Sequence, residues 1–433
     1  MNMPVPSSDP SPVAAAVPTT VAATSAGPAP DFDALRERAF NLRWATVDAD
    51  VIPLTAADPD LPVSAAVTEA IASYIAKPHL SYGPACGLPA FREVVARHFA
   101  EGKASPAVDA GRVIATNSAA SAITLVARHL LSPLLSPGDE VVVQDPVDFL
   151  VAESARRAGA TIRAWTPSSA DPIADGAAGQ ARFTPAGLRA LLASRDASRV
   201  KVVSVCHPHN PLGTLWSADE VAEIAEIVAE HGATLLSDEV WSDVVLDDAG
   251  FTSFASCGGR GDRAPWVVYG LSKGYALAGL RIGAVIAPSG EAAAAFARAQ
   301  GFDHTIEGAA TLSQVAAIAA LEQAGGWRAD FLGHCGRQRD LAMARLGALP
   351  GVRIARAPQA TFVLFCDIRG TGLGEEELAA RIEREARVRV VPGSPRWFGS
   401  GASGHIRLSL ATTREVLEEA LGRIERAWAR IVG

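Results

Sequence analysis

The sequence predicts an α/β fold: a large domain with a mostly parallel seven-stranded sheet flanked by helices, followed by a smaller α+β domain. Three observations carry this. From Asp31 onward, short β-branched runs alternate with helix-length stretches, the order produced by a parallel sheet with crossover helices. One such stretch opens on Ser217 with Glu220 three residues later, a capping-box pattern that marks a helix start. After about Gly308 the alternation gives way to long helical tracts around a single strand-like run.

Taken in order, the strands of the large domain are expected at Val113 to Thr116, Glu140 to Gln144, Thr161 to Trp165, Val200 to Val205, Thr234 to Ser237, Trp266 to Tyr269 and Arg281 to Ile286. Helices are expected between them at Ala119 to Leu131, Phe149 to Ala158 and Ala218 to Glu230, covering both faces of the sheet. The later part reads as a helical tract to Leu346, a strand from Thr361 to Cys366, a helix from Gly374 to Ala386 and a last helix from Arg414. We divide the chain into a disordered tail (1–30), an N-terminal segment joining the small domain (31–78), a large domain (79–308) and a C-terminal small domain (309–433). The tail is almost wholly Pro, Ala, Ser, Thr and Val; prolines interrupt its apolar stretch and it lacks Lys and Arg, so it does not resemble a signal peptide.

Composition narrows the function. The chain has 433 residues, 49% apolar and 20% charged, with a net charge of -8. Scattered arginines on a mildly acidic chain leave no basic stripe for a nucleic-acid backbone, and no apolar run is long enough for a membrane span. Cys86, Cys206, Cys257, Cys335 and Cys366 are odd in number and never spaced as CxxC, the usage of reduced thiols in a cytoplasm. A small-molecule enzyme is the expectation.

Four segments carry candidate chemistry. Lys273 sits just past the strand ending at Tyr269, in a glycine-rich run from Gly270 to Gly283. Of 39 basic side chains only four are lysines, so arginine is the default surface cation. A lysine in this apolar setting suits an amine nucleophile that forms a Schiff base with an aldehyde; the bland reading is a loop lysine. Asp238 and Glu239 end a strand where ligand-contacting carboxylates sit in open α/β sheets, and one of them could pair with a cationic heterocycle. Cys206, His207, Pro208, His209, Asn210 and Pro211 form a rigid turn that fixes Asn210 for a directed hydrogen bond, while their spacing matches no common zinc pattern, so no metal is expected. Thr116 to Ser121 joins a strand to a helix and leaves the N–H groups of Ala119 and Ala120 free for a phosphate. Neither GxxxxGK[ST] nor a GxGxxG after the first strand is present, against a kinase or dehydrogenase.

In this order the segments resemble the fold-type I pyridoxal phosphate enzymes, the class I/II aminotransferase superfamily, over nearly all of residues 31 to 433. The stretch DVIPLTAADPDLPVSAAV from Asp50, with SDEVWSDVVL from Ser237, looks most like the cystathionine β-lyase branch of carbon-sulfur lyases. The resemblance implies pyridoxal 5'-phosphate as cofactor. Lys273 would bind its aldehyde and shuttle the Cα proton, Asp238 would keep its ring nitrogen protonated, and Asn210 would donate to its phenolic oxygen. Ser272, Arg281, Ala119 and Ala120 would hold the phosphate, joined by Tyr82 from the second subunit of a homodimer. Arg407, in HIRLSLATT, would clamp the carboxylate of an amino-acid substrate.

Departures from the family pattern are equally specific. Asp148 stands where an aromatic usually stacks on the ring, and either Phe149 substitutes or nothing stacks. Trp241 replaces a tyrosine or histidine, His207 a common asparagine, and Gly270 a common serine. Trp241 is expected at the reacting centre, with Asp148 and His207 on the substrate side. The first reading is α,β-elimination of a sulfur leaving group. Aminotransfer is the second, a specialised replacement, decarboxylation or oxidation the third, and a non-catalytic cofactor-binding module the fourth.

Overall fold

The computed structural model describes residues 31–37, 42–131, 136, 138–167, 182–258 and 264–433. The tail expected at 1–30 lies outside the described residues. The strands are β1 (Ile52–Pro53), β2 (Val113–Thr116), β3 (Glu140–Gln144), β4 (Thr161–Trp165), β5 (Val200–Cys206), β6 (Thr234–Asp238), β7 (Trp266–Gly270), β8 (Gly283–Ile286), β9 (Val363–Asp367), β10 (Val388–Arg389), β11 (Val391–Pro392) and β12 (His405–Ser409). Seven of them form the central sheet in the order β2-β8-β7-β6-β5-β3-β4, and β8 alone runs against the rest.

The two-residue period of a strand divides this sheet between two cores. Val203, Leu235, Val267 and Tyr269 face one, with Val221 and Ile224 of the helix Ala218–His231. Val202, Leu236, Trp266 and Val268 face the other, with Ile123 and Val126 of the helix Ala119–Leu131. Both faces are covered, which is why β7 is buried along its whole length. The Ser217 capping box forms as expected, and the helix it opens ends on Gly232 at φ +84°, a left-handed position that suits glycine.

A third core belongs to the C-terminal part. There β11-β12-β9 form an antiparallel sheet, against which Leu417, Leu421, Ile424, Trp428 and Ile431 pack from the helix Arg414–Val432. Each such burial contributes roughly 1.5–3 kcal/mol. The N-terminal segment is stitched to this part by β1, which pairs in parallel with β10, Ile52 beside Val388. Among the described residues no helix is long and apolar enough to cross a membrane.

Three boundaries differ from expectation. The strand expected from Arg281 begins at Gly283, because Arg281 takes a left-handed turn at φ +51° after the short turn Ala278–Leu280. The strand expected from Thr361 begins at Val363, with Thr361 likewise at φ +72°. The helical tract to Leu346 is two helices, Thr311–Gln323 and Gly325–Leu346, parted at Ala324 before a glycine pair.

Candidate active site

The carboxyl ends of β2, β5, β6 and β7 lie on one edge of the sheet and deliver Thr116, Cys206, Asp238 and Gly270 to it. Beyond β2, Ser118 turns the chain at φ +97° into the helix Ala119–Leu131, and its Oγ accepts the Ser121 N–H at 3.2 Å. The same Oγ accepts Arg281 Nη2 at 2.9 Å. The first N–H groups of the helix, including those of Ala119 and Ala120, lack intrahelical acceptors and sit beside this guanidinium, a seat for an anion. Two glycines let the helix end come this close. A Cβ on Gly270 would stand 2.8 Å from Val240 Cγ2 and 3.0 Å from Ala119 Cβ, and one on Gly283 would stand 2.7 Å from the Ala119 nitrogen. Gly270 in place of the family's serine is therefore a packing requirement of this chain. Ser272 follows two residues later, half-buried.

Lys273 Nζ donates to the Ala57 carbonyl at 2.6 Å and lies 5.7 Å from the centre of the buried Trp241 ring, which itself packs edge-on against Phe362. Burial pulls the Lys273 ammonium below the usual lysine range; Asp58, Asp148 and Asp238 oppose the shift and Arg407 adds to it. Asp238 is buried, and Oδ1 accepts the Val240 N–H at 3.1 Å. Burial pushes its carboxyl up to about 7, reinforced by Asp148 and opposed by the Val240 N–H and by Lys273. Its neighbour Glu239 points away from this edge, accepting Phe254 N–H at 2.9 Å and Ser237 Oγ at 3.3 Å. Of the two acids expected at the strand end, only Asp238 serves the cleft.

Arg407 reaches the same cleft from β12. It is buried; Nη2 donates to the Thr55 carbonyl at 3.0 Å, Nη1 to Asn210 Oδ1 at 3.3 Å, and the guanidinium lies 4.9 Å above the Phe398 ring. Its Nε is buried without a hydrogen-bond partner. Burial lowers the guanidinium to about 10, with Asp148 opposing. Asn210 Nδ2 donates to Asp148 Oδ2 at 3.0 Å.

Other expected residues are placed elsewhere. His207 is a core histidine: its ring lies between Phe251 at 4.9 Å and Trp216 at 5.2 Å, Nε2 is 3.2 Å from the Thr252 carbonyl, and burial lowers its pKa to about 3. The aromatic walls leave it no opening to a substrate. Phe149 is 39% exposed and packs edge-on against Trp397, so its ring is engaged by the helix Pro395–Phe398. Tyr82 is 91% exposed.

Residues that the sequence reading did not single out complete the site. Ser118 fixes Arg281, and the carbonyls of Thr55 and Ala57 hold Arg407 and Lys273. The signal for Thr55 and Ala57 was the segment from Asp50, quoted only for its resemblance, and that for Ser118 was the turn Thr116 to Ser121. Behind Lys273 lies a buried charge cluster. Asp243 accepts Lys103 Nζ at 2.9 Å and Tyr269 Oη at 2.5 Å, with His98 Nε2 at 2.7 Å and Arg328 at 3.6 Å. Burial alone would raise the Asp243 carboxyl, but Lys103, His98 and Arg328 hold it well below the usual range. A Cβ on Gly274 would stand 2.4 Å from Asp243 Cβ, so this cluster backs the turn that carries Lys273.

The residues fit pyridoxal phosphate on structural grounds. A buried carboxylate with a single N–H donor and no ion-pair partner among the described residues suits a protonated ring nitrogen, and the Ser118–Arg281 cradle suits a phosphate. The family model for class I and II aminotransferases matches residues 49–424. The chain is 31% identical over 396 residues to a bifunctional aspartate and glutamate/aspartate-prephenate aminotransferase of Petunia hybrida, covering 88% of this chain and 77% of that protein. It is 27% identical over 380 residues to an aspartate aminotransferase of Pyrococcus horikoshii, covering 87% and 90%. Its fold is also similar to cystalysin from Treponema denticola, with a TM-score of 0.80 at 20% identity over 92% of this chain and 97% of that one, a likeness of fold. With a match spanning nearly the whole described chain and the amine, acid and guanidinium gathered at one sheet edge, this protein belongs to the class I and II aminotransferase family.

Proposed function

We propose that the protein is an amino-acid aminotransferase using pyridoxal phosphate. The observation that carries this is the gathering of an amine, a carboxylate without a counter-cation and a buried guanidinium with an unused N–H, Lys273, Asp238 and Arg407, around one cleft. Aminotransfer takes precedence over the elimination expected first, because the relatives are named aminotransferases.

When bound, pyridoxal phosphate supplies an aldehyde that captures amines and a pyridinium ring that takes up the electron pair left at Cα. Arg407 binds the substrate carboxylate through N–H groups left over from Thr55 and Asn210. Lys273, with its depressed pKa, has a larger neutral fraction near pH 7 than a solvated lysine, which suits it to accept the Cα proton and return it. Trp241 covers Lys273 and excludes water on that side; its indole N–H donates but cannot accept a proton. Asp238, a buried carboxylate without an ion-pair partner among the described residues, would hold the ring nitrogen protonated. Asn210 has a second Nδ2 hydrogen for the phenolic oxygen, and Ser272, Arg281 and the Ala119 and Ala120 amides take the phosphate.

The active form is a homodimer, with Tyr82 reaching the partner's phosphate site. Exposed Leu80, Tyr82 and Ile306 support this, since large apolar side chains left in water mark contact surfaces.

Two measurements test the reading. Borohydride should fix the cofactor onto Lys273, and label on another lysine overturns the assignment. Alanine with a keto-acid acceptor should yield the exchanged amino and keto acids, whereas a cysteine thioether should release little thiol. Thiol release without amino transfer replaces this reading with the elimination.

A further inference from the structure

Position 148 holds an acid where the family usually holds a ring, and the structure shows what faces it. We propose that Asp148 is a positioning residue that sets the orientation of the Asn210 side-chain amide and, through it, presents Arg407 to the substrate carboxylate. The inference rests on the cofactor reading above.

Asp148 is tied down on three sides. Its Oδ1 accepts the Leu150 N–H at 3.2 Å, capping the helix Phe149–Arg157. Its backbone N–H donates to the Asn210 carbonyl at 3.1 Å, and its Oδ2 accepts Asn210 Nδ2 at 3.0 Å. A primary amide has two unlike ends, two N–H donors and one carbonyl acceptor. With Nδ2 at the carboxylate, Oδ1 faces Arg407 Nη1, which donates to it at 3.3 Å. The flipped amide would set carbonyl against carboxylate and NH2 against guanidinium, two repulsions in place of two attractions. Asp148 therefore selects one of the two amide orientations, and Arg407 depends on that selection. A ring stacked at this position places no carboxylate against Asn210 Nδ2 and does not make the choice.

The chain also sets which donors of Arg407 remain. Nη1 is held by Asn210 and Nη2 by Thr55, with Phe398 under the plane. Each terminal nitrogen keeps one N–H, and Nε keeps its own, for a bidentate carboxylate. Loss of the Asn210 contact frees the guanidinium to tilt, and the remaining donors lose alignment together.

The test is a double-mutant cycle read by binding. Asp148→Asn keeps an acceptor for the Leu150 N–H but places an NH2 against Asn210 Nδ2, which turns the Asn210 amide over toward Arg407. Asp148→Ala removes both functions, and each variant is also made in an Asn210→Ala background. The holoenzyme is titrated with propionate, followed through the visible absorption of the bound cofactor. A wild-type protein without that absorption overturns the cofactor reading and the inference with it. With the absorption present, both Asp148 variants should bind propionate about tenfold more weakly when Asn210 is intact. In the Asn210→Ala background the same substitutions should change binding by less than about twofold. Equal losses in both backgrounds, or no loss in either, overturn the positioning role.

Discussion

Lys103 is the least expected charge in the molecule, and replacing it tests how the turn carrying Lys273 is supported. Its ammonium is buried, donates to Ser242 Oγ and Asp243 Oδ1 at 2.9 Å each, and lies 5.3–5.6 Å from the ring centres of Phe99, Phe251 and Tyr269. At an effective dielectric of about 20, unit charges at that separation attract by roughly 6 kcal/mol, much of it offset by desolvating both groups. Lys103→Met keeps the volume and puts a polarisable sulfur into the aromatic box, but strands the Asp243 carboxylate. Removing one partner of a buried pair costs roughly 3–5 kcal/mol. His98 and Arg328 still face Asp243, which places the expectation near the lower end, about 3 kcal/mol. Acid dependence changes too. In the wild type the Asp243 carboxyl is depressed, so its stabilisation is present above its unfolded value near 3.8 and is lost as pH falls toward the folded one. With Lys103 gone the folded pKa rises, and this contribution shrinks. The assay is urea unfolding at fixed cofactor concentration, because bound cofactor adds its own stabilisation. A variant within about 0.5 kcal/mol of wild type at unchanged m would refute the view that this ion pair holds the turn.

Three further expectations follow from the site. In the cofactor-free protein, burial pushes the carboxyls of Asp238 and Glu239 up to about 7 against unfolded values near 4, so their contribution to stability is full below about pH 4 and is lost as pH rises from there through 7. Asp238→Asn should remove about half of that slope in urea midpoints between pH 4 and 7, and an unchanged slope would assign the proton elsewhere. Gly270→Ser, which restores the family's hydroxyl, should destabilise by about 1–3 kcal/mol because its Cβ meets Val240 and Ala119; Val240→Ala should recover part of that loss in the same unfolding assay. His207→Phe should cost no more than about 1 kcal/mol, the worth of one hydrogen bond, and leave KM unchanged; a raised KM would return His207 to the substrate side.

The central sheet was legible because its strands are β-branched runs bounded by turns, and the seven expected runs match the seven observed strands within one or two residues. Lys273, Asp238 and the turn after β2 could be singled out because each lies at or just past a strand end in sequence. What was hidden depends on distance along the chain. His98, Lys103 and Asp243 share no motif, and only the fold brings the helix Pro89–Gly102 against the residues after β6. Strands β1, β10 and β11 have two residues each, too short for any period. The role of Asp148 did leave a trace: an Asp directly before the helix starting at Phe149 is a capping signal.

The departures from the family pattern looked, in sequence, like independent signs of altered chemistry. In three dimensions they have different causes. His207 is absorbed by an aromatic box and Gly270 by the close approach of Val240 and Ala119, so packing accounts for both residues. Asp148 faces the cleft, but both its oxygens are occupied by Leu150 and Asn210, which makes it a determinant of geometry. Trp241 stands beside the amine of Lys273, its ring centre 5.7 Å away. An indole takes no proton at neutral pH, so Trp241 offers no second base, and the proposed reaction assigns proton transfer at Cα to Lys273. Each departure that finds a neighbour in the fold removes one motive for a specialised reaction, which leaves the proposed amine exchange as the simpler reading of this cleft.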